Sequence, residues 1–112
     1  MSRRAHPELL SDVLEAIRRI EAYTKSVTYE GFLRDMQVQD AVVRNLEIIG
    51  EAVKKLDREF KKQHQEIDWK KIAGLRDRVI HDYFGVNWDI VWDVVRNKAP
   101  ELKRQLERLL HA

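Results

Sequence analysis

Between Met36 and Phe60 the residues Val38, Val42, Leu46, Ile49, Val53, Leu56 and Phe60 recur at three- and four-residue steps, a period that an α-helix gathers into one face. Ala41, Ile48 and Ala52 widen that face, so the helix must lie against several neighbours. Gly50 sits in its middle, where glycine costs about 1 kcal/mol relative to alanine. The expected compensation is close approach of another backbone.

The rest of the chain repeats the helical period. Leu10, Val13, Leu14, Ile17 and Ile20 predict a first helix from Glu8 to about Ser26, with Pro7 just inside its start. Ser26 to Gly31 breaks the period, and Ser26 or Thr28 is placed to cap a short turn before Phe32. After the long helix comes a polar connection, Lys61 to Glu66. Asp68 then caps a third helix beginning at Trp69, with a buried stripe of Ile72, Ala73, Leu75, Val79 and Ile80, which Gly85 ends through left-handed backbone. Asn87 caps a further helix, Trp88 to about Asn97, and Ala99-Pro100 separates it from a last helix carrying Leu102, Leu106, Leu109 and Leu110. No strand pattern or internal repeat interrupts this. The expectation is one all-α domain over residues 1–112, a compact antiparallel bundle of four to five helices.

Composition narrows the setting. There is no cysteine, hence no disulfide framework or thiolate chemistry, and a reducing compartment is the natural one. No apolar run resembles a signal peptide or a membrane span, so the expectation is a soluble cytoplasmic protein without a membrane partner. The net charge is only +2, a weak argument for a polyanionic partner. Locally, Lys54-Lys55, Lys61-Lys62 and Lys70-Lys71 could attract a phosphate backbone or could simply be solvated helix faces.

The chemistry is concentrated in Arg76-Asp77-Arg78-Val79-Ile80-His81-Asp82-Tyr83. Within eight residues it offers a fixed cation, a group that titrates near neutrality and a phenolic hydroxyl, the parts needed to handle a phosphodiester. Arg58 to His64 and Arg104 to His111 have comparable Arg-to-His separations. Requiring a tyrosine two residues after the histidine leaves only Arg76, His81 and Tyr83.

The spacing Arg-x4-His-x-Tyr resembles the signature of the HepT-like toxins, a branch of the HEPN ribonucleases. Asn45-Leu46-Glu47-Ile48-Ile49-Gly50-Glu51-Ala52, Ile67-Asp68-Trp69 and Gly74-Leu75-Arg76 are also similar to that family, in the same order. The resemblance implies a HEPN-like helical domain that forms homodimers with paired motifs facing one cleft, and RNA cleavage by Arg76 and His81. It further implies a type VII toxin–antitoxin pair whose antitoxin is a minimal nucleotidyltransferase of the MntA type. That partner would use ATP to transfer AMP to Tyr83, while this chain would itself need no cofactor. Asp77 stands where the family often has asparagine.

On a regular helix of about 100° per residue, Arg76 and Tyr83 are nearly eclipsed while Arg76 and His81 lie about 140° apart. Either the helix loosens near Gly85, or two copies each contribute an arginine and a histidine. Asp77 and His81, four apart, would share a helical face, so Asp77 could orient the imidazole. Glu51 is either an exposed helix residue or the carboxylate that holds Arg76, and Asn45 is undecided in the same way. Metal-independent RNA cleavage needs a base, an acid and positive charge at the transition state, which two histidines and an arginine provide. The four histidines are scattered and Glu47 with Glu51 has ordinary helix spacing, so no metal site is expected. The competing readings make Arg76 the partner of a carboxylate across the bundle, with His81 at an interface and Tyr83 packed beside Phe84. The chain would then be a non-catalytic helical adaptor that binds and orients a nucleotidyltransferase.

Overall fold

The long helix, α3, runs from Met36 to Lys54 and packs mainly against α1, His6–Thr24. The computed structural model describes residues 6–81 and 85–111, and of Ile80 and His81 only the backbone. Val13, Ile17 and Ile20 of α1 and Val42, Leu46, Ile49 and Val53 of α3 are each at most 1% exposed. Side chains buried to that degree contribute about 1.5–3 kcal/mol each, so this pair of helices forms the centre of the core, which Phe32, Val79, Val91 and Leu106, each 0% exposed, complete. Leu9 and Asp12, early in α1, line one small cleft with Ala52 and Lys55, late in or just past α3. The two helices are therefore antiparallel.

Between them α2, Tyr29–Arg34, is a helix rather than a turn; Thr28 caps it by accepting from the Gly31 N–H at 3.1 Å. Buried Gln39 donates at 2.9 Å to the Phe32 carbonyl, which also accepts from the Asp35 N–H at 3.3 Å, so the side chain ties α3 to the end of the short helix. The long helix stops at Lys54, six residues before Phe60, and a separate α4, Arg58–Gln63, occupies part of the expected polar connection. Leu56 in the break is only 4% exposed. The apolar period thus continues through the bend, and periodicity could not reveal it.

Asp68 caps α5, Trp69–Ala73, as expected, accepting from the Lys71 N–H at 3.1 Å. After Gly74 a second short helix, α6, spans Leu75–Val79, so the helix expected to reach Gly85 ends six residues early. The chain instead forms a two-residue antiparallel ladder, β1 (Ile80–His81) with β2 (Gly85–Val86), pairing Ile80 with Val86 and His81 with Gly85. Gly85 does adopt left-handed backbone, with φ 77°, but it serves this ladder and not a helix terminus.

Asn87 caps α7, Trp88–Asp93, through the Ile90 N–H at 3.2 Å. Ala99-Pro100 does not then break the chain: a π-helical segment, Val94–Lys98, joins α7 directly to α8, Ala99–Leu110. Pro100 has no N–H to donate to the Arg96 carbonyl, and its ring would meet that carbonyl in a regular α-turn. The wider π turn before it opens the ladder there. Among the described residues the protein is thus mostly helical, with eight α-helices, several only a turn or two long. No helix among them is long and apolar enough to cross a membrane.

Candidate functional site

Gly50 governs how α5 and α6 reach α3. A Cβ built on it would stand 3.2 Å from the Ala73 carbonyl oxygen and 3.7 Å from that of Ile72, so the expected close approach of a second backbone is present. Three residues before Gly50 lies Glu47, and three residues after Ala73 lies Arg76. Their side chains meet, with Arg76 Nε donating to Glu47 Oε2 at 3.0 Å.

Leu75 and Val79 bury one side of α6, leaving Arg76, Asp77 and Arg78 exposed. Asp77 Oδ1 is 3.9 Å from Arg76 Nη1, beyond hydrogen-bond length. A guanidinium has five N–H donors. The four on the Nη atoms of Arg76 therefore have no hydrogen-bond acceptor among the described residues. Arg78, two residues on, lines a different cleft of about 360 Å³ between α5, α6 and the C-terminal rod, together with Lys71 and Lys98. Arg76 is not part of that cleft; it stands on open surface.

The carboxylate at Arg76 is Glu47, not Glu51, which is exposed and pairs with Lys54 at 3.7 Å. Asn45 lies on another flank of α3. It is 4% exposed, donates to the Ala41 carbonyl at 2.8 Å, and its Oδ1 is buried without a hydrogen-bond partner among the described residues. Because α6 ends at Val79, His81 belongs to β1 and shares no helical face with Asp77. The angle expected between Arg76 and His81 on one regular helix does not apply either. The imidazole of His81, together with Asp82, Tyr83 and Phe84, lies outside the described residues.

Of the paired lysines, Lys54, Lys55, Lys62, Lys70 and Lys71 are exposed and Lys61 is half-buried. Only Lys54 has an ion pair among the described residues. No group of three or more His, Cys, Asp or Glu placed to hold a metal ion occurs among the described residues. Glu47 was not legible as the partner of Arg76 in the sequence, although a signal existed. If Gly50 marks an antiparallel crossing at Ala73, equal three-residue steps away from it pair Glu47 with Arg76.

Comparison with known proteins bears on this surface. The family model described as ribonuclease HepT-like matches residues 13–109. The chain is 45% identical over 107 residues to "Probable ribonuclease HepT" of Thermococcus cleftensis, covering 96% of this chain and 97% of that protein. It is 44% identical over 101 residues to "Putative RNase MJ0127" of Methanocaldococcus jannaschii, covering 90% and 84%. No solved structure matches.

Proposed function

Because the chain belongs to the HepT-like ribonuclease family, we propose that it is an RNA-cleaving toxin of a type VII toxin–antitoxin pair, with Arg76 and His81 as its catalytic residues. The observation that carries this reading is the exposed Arg76 guanidinium, whose Nη donors have no hydrogen-bond acceptor among the described residues. The Arg76 fork fits two non-bridging phosphate oxygens. The exposed Lys62, Lys70 and Lys71, which have no ion pair among the described residues, suit a polymer held by its backbone.

In the proposed reaction the ribose 2′-oxygen forms a bond to phosphorus as the bond to the 5′-oxygen breaks. A base takes the 2′-hydroxyl proton and an acid delivers one to the departing oxygen. His81 serves one of these roles, and His81 of a second copy in a homodimer serves the other. Arg76 stabilises the charge that accumulates on the phosphorane-like transition state. The product is a 2′,3′-cyclic phosphate, and no divalent metal takes part. In this reading the partner is a minimal nucleotidyltransferase that silences the toxin by transferring AMP from ATP to Tyr83. Bulky anionic groups there oppose RNA binding by repulsion and occlusion.

The test is incubation of purified protein with bulk RNA in chelator. Cleavage to cyclic phosphate ends is expected from the wild type, with none from His81→Ala and strong impairment in Arg76→Lys, because a point charge does not reproduce the fork. Activity abolished by chelator and restored by added metal would overturn the scheme. An inert wild-type chain whose His81→Ala variant loses its grip on the nucleotidyltransferase would make it an adaptor.

A further inference from the structure

Resting on the ribonuclease reading, we infer that Glu47 is a positioning residue for phosphodiester cleavage, setting the plane in which Arg76 presents its Nη edge to the scissile phosphate. The hydrogen bond is made through Nε alone, at 3.0 Å, so the carboxylate grips the guanidinium at its stem and leaves the outer edge without a hydrogen-bond acceptor among the described residues. A longer grip through both Nε and Nη2 would have consumed a donor that the phosphate needs.

Stability does not account for the pair. Its side chains are 54% and 32% exposed, and exposed pairs joined by one hydrogen bond add little to folding free energy. Glu47 also carries a charge that opposes the phosphate, so its presence weakens ground-state attraction to RNA. A group that costs ground-state affinity can still accelerate the reaction if it acts on the transition state. Orientation is such an effect, because an arginine free to rotate about its side-chain torsions must be ordered during the reaction. Glu47 orients the arginine from a rigid base. It stands on α3 between buried Leu46 and Ile49, one turn from the Gly50 crossing.

The inference separates binding from turnover. With a short RNA carrying one cleavable bond, Glu47→Ala should lower kcat tenfold or more while KM stays equal or falls. Glu47→Gln keeps an oxygen that accepts from Nε and should remain within about threefold of wild-type kcat, a rescue that loss of charge alone would not allow. Nuclear magnetic resonance supplies a second readout: the Arg76 Nε–H proton should be slow to exchange in the wild type and Glu47→Gln, and fast in Glu47→Ala. Thermal melting of each variant checks that the fold is intact.

An active wild type with unchanged kcat in Glu47→Ala would overturn the inference. So would a rise in kcat in that variant, since Glu47 would then be a lock competing with substrate, or a glutamine variant as impaired as alanine. A wild type that cleaves no RNA would instead sink the ribonuclease reading itself, a different failure seen before any Glu47 variant is assayed.

Discussion

Gly50 of α3 and Ala73 at the end of α5 meet so closely that a methyl group would require the facing main chain to give by a few tenths of an ångström, the would-be Cβ lying 3.2 Å from a carbonyl oxygen. Unlike a side-chain tip, a main-chain carbonyl held in a short helix cannot rotate aside. Gly50→Ala therefore gains about 1 kcal/mol of helix propensity and loses about 1–3 kcal/mol to overpacking. The net expectation is a lower urea midpoint, and Gly50→Val should fall further. Cleavage should decline more steeply than stability, because the same crossing carries Arg76 to Glu47.

Arg96 ties the end of α1 to the π segment. Its Nη2 donates to the Thr24 carbonyl at 3.2 Å and also to that of Val27, while the guanidinium carbon lies 4.4 Å from the centre of the Trp92 ring. One planar group thus bonds the carbonyl of the last α1 residue and one in the turn that follows, and covers an aromatic face. Arg96→Ala is expected to cost about 2 kcal/mol in chemical denaturation. Arg96→Lys should recover less than half, since an ammonium cannot stack and bridge together.

Asn45 carries a buried acceptor with no donor, and an unmet group of that kind costs about 1–3 kcal/mol. Asn45→Leu keeps the volume and removes the acceptor, so its melting temperature should rise. In Asn45→Asp burial raises the carboxyl above its ordinary value, so the folded form disfavours the charged state. The variant's defect should be small below about pH 4 and grow as pH rises through the ordinary carboxylate range. A flat pH dependence would mean the site admits water.

Tyr83→Phe should part toxicity from control. In the proposed scheme two histidines would serve as base and acid, so RNA cleavage should survive loss of the phenol. In the same scheme the phenolic oxygen would be the AMP acceptor, because acyl adenylates on Asp77 or Asp82 would be labile anhydrides. Growth arrest that co-expressed nucleotidyltransferase no longer relieves, with no AMP mass increment on the chain, is the expected result. A folded but harmless variant would move Tyr83 into the catalytic set.

Much of the scaffold was legible because caps and buried stripes are local signals. Thr28, Asp68 and Asn87 each accept from an N–H three residues on, and Gly50 announced a crossing. The bends were not legible, for physical reasons. Leu56 is buried in the break after α3, so the apolar period runs through it. At Pro100 a π turn absorbs the ring, so the usual stop signal does not stop the rod. The ladder of Ile80 and His81 with Gly85 and Val86 is too short for alternation to register. The motif singles out Arg76 as a candidate, whereas its contact with Glu47, 29 residues away in sequence, depends on a tertiary crossing.

α6 is five residues long, too short to persist unaided, and it is held by Leu75, Val79 and the Asn87 N–H donating to the Val79 carbonyl at 2.6 Å. Its amides should accordingly exchange with solvent through a small local opening, far more readily than those of α1 and α3. Arg76 rides on that segment, so the competent arrangement has a free energy of its own, less than that of the whole fold. On warming, RNA cleavage should fade while the helical circular dichroism signal is still complete, and the interval between the two transitions measures how loosely the arginine is moored.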